Sequence, residues 1–137
     1  MGKLNPYLSI PGKCREMMTF YADCLDAKLT IQTVAESPVA NELPEKYQDQ
    51  VMHSVLENGE IVIMASDMSK TGSVMGNNVQ LCVNCSSEEE ISRYFTNLAS
   101  GGIISDPLKK MFWGGLFGAL TDRYGIHWMF NFESKTK

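Results

Sequence analysis

The residues best suited to chemistry lie near the end of this 137-residue chain. The run from Phe112 to Asn131 holds both tryptophans, one of the two histidines, His127, and the adjacent glycines Gly114 and Gly115. Imidazole and carboxamide groups can hydrogen-bond a ligand, and an indole ring offers a flat surface for stacking. An ordinary edge hairpin does not require this mixture. We therefore interpret the run as one wall of a ligand cavity.

Two strands joined by a tight turn must position these groups. Apolar residues run from Phe112 to Leu120, turn residues occupy 122–125, and a second apolar run follows, which predicts a hairpin. Trp113 beside the glycine pair has two readings: a stacking surface with close backbone approach, or a simple bulge.

Alternation along the last strand assigns its two faces. Side chains on a strand point to opposite faces in turn, so His127, Met129 and Asn131 share one face, while Trp128 and Phe130 share the other. We expect the first three to face the cavity. The two aromatic residues are then expected to pack beneath helices.

The second histidine, His53, lies in another predicted hairpin. Strands over 51–56 and 61–65 flank Asn58-Gly59, the strongest short hairpin signal in the chain. His53 is either a half-buried histidine bonded to a backbone carbonyl or a cavity group acting in hydrogen bonding or general-base chemistry. Asp67, at the end of the second strand, is expected either to orient His53 or to cap the following loop.

The sequence lacks the features that several other protein classes require. The net charge of −4 and scattered basic residues argue against a nucleic-acid partner. No apolar run approaches the length of a membrane span, and no apolar segment typical of a secretory signal opens the chain, so we expect a cytoplasmic protein without a membrane partner. Because no nucleophile elbow, P-loop or dinucleotide fingerprint is present, no cofactor is expected.

Four cysteines in such a chain are expected to be free thiols. The pair Cys82 and Cys85 has C-x-x-C spacing, which zinc and redox sites share, although a zinc site would want a second close pair. Cys85 precedes a predicted helix start, where a thiol pKa is lowered. The simpler reading makes Cys82 a small buried hydrophobic residue in a strand.

The order of the predicted elements occurs twice. A strand, a helix over 13–25, a strand and the hairpin around Asn58-Gly59 repeat after about 73 residues, where two overlapping S-x-x-E capping boxes at 86–90 start the second helix. The sequence thus predicts an α+β fold of two βαβββ modules, about 5–67 and 78–132, within one domain over 1–137. The polar insertion over 36–50 is expected to be a loop, either mobile or a lid.

The paired βαβββ pattern resembles the vicinal oxygen chelate superfamily, which includes glyoxalase I, bleomycin-resistance proteins and extradiol dioxygenases, and most closely its PhnB-like branch. The residues that carry the resemblance are 6–8, Phe20-Tyr21, 52–56, 64–67, 122–128 and Asn131. The resemblance implies a cupped mixed sheet with helices on its outer face and a homodimer. Branch members often carry a 3-demethylubiquinone methyltransferase label, but the sequence lacks the glycine-rich turn that a methyl-donor nucleotide would need.

Metal-dependent members of the superfamily take ligands from the first and last strands of each module. Carried over by register, those positions hold Asn5 or Pro6, Met64, Asn78 or Val79, and Met129. None is a histidine or carboxylate, the groups that hard divalent metals prefer. We therefore expect no standard metal site, and Met64 and Met129 to form the apolar lining of an adaptable pocket.

These observations lead to one functional expectation and two alternatives. We expect a homodimeric small-molecule-binding protein of the glyoxalase and bleomycin-resistance type with an apolar cavity, whose ligand remains unidentified. The first alternative is a divalent-metal-dependent lyase or dioxygenase with a non-standard ligand set that includes His53; the second is a dimer whose cavity is filled by side chains. The expected ligand-binding residues are His53, Met64, Asp67, Trp113, His127, Met129 and Asn131.

Overall fold

A computed structural model describes residues 2–69 and 72–134. Two helices and eight strands follow the βαβββ order twice. The elements are β1 (Tyr7–Ser9), α1 (Cys14–Cys24), β2 (Lys28–Thr33), β3 (Val51–Asn58), β4 (Ile61–Ser66), β5 (Leu81–Cys85), α2 (Glu88–Ala99), β6 (Ile103–Lys110), β7 (Leu116–Thr121) and β8 (His127–Phe132). In the described part of the chain, neither helix has the length and apolar character needed to cross a bilayer.

The strands form two four-stranded mixed sheets with the same internal order. The first runs β1-β4-β3-β2 and the second β5-β8-β7-β6. In each sheet the first strand of the module pairs in parallel with the last, and the other pairings are antiparallel. The predicted α+β class and the repeated module are confirmed. The chain divides into two compact units, 1–74 and 75–137, which we describe one at a time.

In the first unit, α1 packs on β2, β3 and β4. Met17, Met18 and Tyr21 are fully buried on the helix, and Leu56 and Ala65 are fully buried on the sheet. Their spacing follows the helical and strand periods seen in the sequence. The core of this unit therefore lies between the helix and one face of its sheet.

In the second unit, α2 packs on its sheet in the same way. Ile91 and Leu98 on the helix are buried, as are Leu120 and Trp128 on the sheet. The Phe95 ring meets the edge of the Phe130 ring with centroids 5.6 Å apart, a favoured aromatic geometry. This confirms the prediction that Trp128 and Phe130 pack beneath a helix.

One of the two predicted capping boxes starts α2. The Ser87 hydroxyl accepts a hydrogen bond from the Glu90 backbone amide at 3.0 Å, so Ser87 is the N-cap. The Glu90 carboxylate in turn accepts from the Ser86 amide at 3.0 Å. The first bond satisfies an amide of the first helical turn. The second holds the residue before the cap, whereas a complete capping box would use the Ser87 amide.

Two strands begin later than predicted. The strand expected over 78–83 is β5 and begins only at Leu81. In its parallel register Leu81 pairs with Trp128, so the residues before 80 lie beyond the first residue of β8, His127. The strand expected from Phe112 is β7 and begins at Leu116. A turn replaces its first residues, with Gly114 at a φ of +94° and the Met111 amide bonded to the Gly115 carbonyl at 2.9 Å.

The insertion over 36–50 is tied down rather than free. It contains two short 3-10 turns, Ala40–Glu42 and Glu45–Tyr47. The Gln48 side-chain amide donates to the carbonyls of Ala40 and Leu43 at 2.9 and 3.1 Å. The backbone of Val34 also bonds to that of Gln50. These bonds give the insertion a defined path, and the expectation that it is mobile or a lid stays a prediction.

Candidate functional site

Each sheet packs one face against its helix. The other face, which points away from that helix, is here called the helix-free face. On the first sheet, β1, β4 and β3 place Tyr7, Met64 and Val55 side by side by register. Met64 and Val55 are half-buried, and the Tyr7 side chain is 51% exposed. These three residues form an accessible, largely apolar surface.

His53 lies on the same face and is half-buried. Its ring stacks on the Tyr7 ring, with centroids 5.9 Å apart and an angle of 27° between the planes. Within residues 2–69 and 72–134, its ring nitrogens make no hydrogen bond. A neutral imidazole therefore offers one donor and one acceptor to a molecule from outside the chain. Tyr7, which carries part of the family resemblance but was not predicted as a site residue, supports that ring.

The Asp67 side chain binds backbone amides. Its carboxylate is buried and accepts hydrogen bonds from the amide of Cys14 at 3.0 Å and from the amide of Val51 at 2.8 Å. The first bond satisfies a free amide at the start of α1, where negative charge is favourable. Its oxygens thus hold backbone amides, and within the described residues neither bonds to His53, so the expectation that Asp67 orients His53 is wrong. Its assignment as a ligand-binding residue stays a prediction.

Cys14 lies at the same helix start but carries an unreactive thiol. Its sulfur is fully buried, 3.5 Å from the Ser54 hydroxyl. Burial raises the pKa of Cys14 to about 11, and the nearby Asp67 carboxylate acts in the same direction. The thiolate, which is the nucleophilic form, is therefore scarce at neutral pH.

On the second sheet, the predicted alternation along β8 is confirmed. His127, Met129 and Asn131 are half-buried on the helix-free face, whereas Trp128 and Phe130 are buried on the other. The indole nitrogen of Trp128 donates to the Asp122 carboxylate at 2.8 Å. This bond satisfies the polar atom of a buried tryptophan.

His127 differs from His53 because both its nitrogens are used. Nε2 lies 3.1 Å from the Gly76 carbonyl and Nδ1 lies 2.8 Å from the Thr121 hydroxyl. A carbonyl can only accept, so we assign the hydrogen to Nε2, and Nδ1 of the neutral ring then accepts from Thr121. His127 thus connects the segment before β5 to the second sheet, and its ring has no free nitrogen for a ligand.

Asn131 pairs with a residue that the sequence analysis overlooked. Its side-chain amide donates to the carbonyl oxygen of the Asn84 side chain at 3.3 Å. Asn84 is its register partner on β5, and Phe117 is its register partner on β7. Period-two alternation on β5 would have placed Asn84 on this face if the strand had been predicted in the correct register.

Trp113 lies in the turn between β6 and β7 and is 45% exposed. It meets the Phe112 ring edge to face, with centroids 5.0 Å apart. A Cβ added to Gly115 would lie 2.1 Å from the Phe132 carbonyl oxygen and 2.7 Å from the Trp113 indole nitrogen. Of the two readings of the glycine pair, the structure thus supports close backbone approach.

The two cysteines of the C-x-x-C motif do not converge. Cys82 is exposed, whereas Cys85 is buried, because residues three apart on a strand point to opposite faces. Burial is the main cause that raises the pKa of Cys85 to about 12. The zinc and redox readings of this pair are therefore wrong, and so is the expectation that Cys82 is buried.

Strand register identifies the side chains at the positions where other members of the superfamily bind metal. Met64 pairs with Tyr7, and Met129 pairs with Cys82. A phenol, a thiol and two thioethers do not match the imidazole and carboxylate ligands of a hard divalent metal. In the described part of the chain, no three His, Cys, Asp or Glu side chains lie close enough to hold an ion. These residues do not fit such a metal.

Comparison with known proteins agrees with this architecture. The chain is 29% identical over 142 residues to protein YjdN of Escherichia coli K12, covering 93% of each. The crystal structure of PA1353 from Pseudomonas aeruginosa is 33% identical, with a TM-score of 0.83 over 97% of this chain and 98% of that one. A PhnB protein from Bacillus cereus is 26% identical, with a TM-score of 0.72 over 96% and 99%. Residues 3–130 match the family model, and the chain belongs to the glyoxalase/bleomycin resistance protein/dioxygenase superfamily.

Proposed function

We propose that this protein binds a small organic molecule on the helix-free face of its first sheet. The observation that carries the proposal is the state of His53, a half-buried imidazole stacked on Tyr7 whose nitrogens make no hydrogen bond within the described residues. Superfamily membership supports it, because the family name includes resistance proteins and enzymes that handle small molecules.

The neighbouring side chains indicate what such a molecule would look like. Tyr7 presents an aromatic ring and Met64 a polarisable thioether that adapts to irregular shapes. His53 adds one donor and one acceptor. A ligand with an apolar or aromatic body and one or two polar atoms matches this surface, which is the usual composition of small-molecule sites.

The second unit contributes different groups to the proposal. Met129 and Asn131 are half-buried on its helix-free face, and Trp113 is partly exposed. We propose that these three contact ligands directly. His127, whose nitrogens are both bonded, is proposed to hold the surrounding backbone in place instead.

We also propose that the protein is a homodimer of the cytoplasm. The dimer rests on the resemblance to the superfamily. The reducing compartment is supported by the four cysteines, none of which forms a disulfide within the described residues. Light scattering coupled to size exclusion tests the dimer, with an expected mass of twice 15.3 kDa. A mass of one chain at all concentrations would reject it.

The experiment for the ligand site is a binding screen followed by substitution of His53. Compounds found by thermal shift should bind His53→Ala about tenfold or more weakly, because a hydrogen bond is lost and its partner on the ligand is left unsatisfied. Tyr7→Phe keeps the stacked ring and should retain binding, whereas Tyr7→Ala should weaken it. Equal affinity for wild type and His53→Ala would reject the proposed site.

The metal-dependent alternative also depends on the free nitrogens of His53. A metal measurement on the same protein distinguishes this alternative from a metal-free binding protein. Elemental analysis of material purified without chelators measures bound zinc, nickel or iron. Stoichiometric metal that is lost in His53→Ala would favour a lyase or dioxygenase with a non-standard ligand set over a metal-free binding protein.

A further inference from the structure

The side-chain amides of Asn131 and Asn84 on the second sheet can form more hydrogen bonds than the one between them. Asn131 donates one hydrogen to the Asn84 oxygen at 3.3 Å. A carboxamide has two hydrogens to donate and an oxygen that accepts. Within the described residues neither side chain makes another hydrogen bond, so the pair retains the Asn131 oxygen as an acceptor and the Asn84 amino group as a donor, on adjacent strands.

This conclusion does not depend on how the amide atoms are assigned. Oxygen and nitrogen of an asparagine side chain are distinguished by their hydrogen-bond network. If both side chains were rotated by half a turn, Asn84 would donate to Asn131, and the remaining groups would again be one donor and one acceptor. Asn84 is exposed and Asn131 half-buried, and the hydrogen bond between them is itself exposed to solvent.

An aromatic ring lies beside the pair. Phe117 is the cross-strand neighbour of Asn131, and its side chain is half-buried on the same face. Side chains directly opposite each other on neighbouring antiparallel strands lie about 5 Å apart. A planar molecule hydrogen-bonded to the carboxamides would therefore extend over the Phe117 ring, where stacking is favourable.

From this juxtaposition we infer that Asn84, Asn131 and Phe117 form a site for a planar cis-amide, such as a lactam or cyclic imide. The N–H of a cis-amide donates to the free carboxamide oxygen, and its carbonyl accepts from the free amino group. The flat ring that holds the amide in the cis form stacks on Phe117. This site lies on a different sheet from His53. It deepens the proposed function, which assigns ligand contact to Asn131, by naming the class of ligand.

The test uses 2-pyridone, a minimal planar lactam, and N-methyl-2-pyridone, which keeps the ring and the carbonyl but lacks the donor. Each is titrated at millimolar concentration into the full-length protein labelled with nitrogen-15, and the side-chain amide signals of asparagine are followed. We expect 2-pyridone to shift the Asn84 and Asn131 signals in a saturable way. Unmoved signals, or equal shifts with the methylated compound, would overturn the inference.

Substitutions assign the effect to the residues. Asn84→Asp replaces the amino group by an oxygen and should weaken 2-pyridone binding about tenfold, as expected for a lost hydrogen bond with an unsatisfied partner. Asn77→Asp makes the same change at an exposed position before β5 and should leave binding unaltered. Phe117→Leu retains an apolar side chain without the aromatic ring and should also weaken binding.

His53→Ala separates the two proposals. If 2-pyridone binds the second sheet, His53→Ala keeps the shifts of Asn84 and Asn131 at the same concentrations as wild type. Loss of those shifts in a folded His53→Ala protein would overturn the cis-amide site. Retained shifts together with failure of the His53 ligand screen would support the cis-amide site and reject the site at His53.

Discussion

His127 and His53 differ in whether their ring nitrogens make hydrogen bonds within the described residues. His127 accepts from Thr121 and donates to Gly76, so its ring is fixed in one tautomer. His53 stacks on Tyr7, and within residues 2–69 and 72–134 its ring nitrogens make no hydrogen bond. One histidine thus connects parts of the second unit, and the other is the one we propose for ligand recognition.

Asp67 gives a residue-scale prediction about stability. Asp67→Asn keeps the size of the side chain but replaces one acceptor oxygen by a donor, which then faces a backbone amide that has lost its partner. We expect the free energy of unfolding to fall by about 1–3 kcal/mol, measured by urea denaturation. Asp49→Asn, at an exposed position, is the matched control and should change it little.

The cysteines give a second prediction at this scale. Alkylation by iodoacetamide near neutral pH should modify Cys82 first, because its side chain is exposed while Cys14, Cys24 and Cys85 are buried. Mass spectrometry of peptides from native and urea-unfolded protein measures the order. Labelling of Cys14 or Cys85 in the native protein as fast as Cys82 would contradict the burial described here.

At the scale of elements, period and capping signals predicted most of the fold. The apolar spacing over 13–25 matches α1, and the alternation over 126–131 assigned the correct faces of β8. The starts of β5 and β7 could not be read locally. Each is set by a partner strand or by a glycine turn whose geometry depends on distant residues.

The α2 start gives an element-scale prediction with a control from the same sequence. Ser87→Ala removes the N-cap oxygen and should lower the free energy of unfolding by about 1 kcal/mol. Ser86→Ala removes a hydroxyl that does not cap the helix, since the Ser86 backbone amide makes the bond to Glu90. Thermal or urea unfolding of both variants measures the difference. Equal losses would contradict the choice of Ser87 as the cap.

The candidate site was less predictable than the elements that carry it. Sequence alternation placed His53, Met129 and Asn131 on helix-free faces. The role of Asp67 was missed because its partner Cys14 lies 53 residues away, and such a bond leaves no periodic signal. Asn84 and Tyr7 were missed because their importance depends on which strands pair, a property of the assembled sheets.

At the scale of the whole molecule, the buried thiols predict how stability depends on pH. The pKa values of Cys14 and Cys85 are raised from 9.0 to about 11 and about 12. Because the folded state holds these protons more tightly, their contribution is complete below pH 9, the unfolded value, and is lost as pH rises through the folded values. The slope is at most about 1.4 kcal/mol per pH unit for each thiol.

Urea denaturation from neutral to alkaline pH measures this dependence. We expect the free energy of unfolding to decline above pH 9 more steeply in wild type than in a Cys14→Ala, Cys85→Ala double variant, even though the variant starts from a lower stability. Parallel curves for the two proteins would show that the thiols do not contribute.

The identical strand order of the two sheets has a consequence for how this protein can evolve. Each module builds its own core between one helix and one sheet, so a substitution on a helix-free face does not disturb the packing of its helix. The two faces are therefore free to diverge after a duplication, each acquiring its own chemistry. In this chain one half displays an imidazole with a phenol, and the other displays a pair of carboxamides, so selection for a new ligand can act on one half while the other keeps its role.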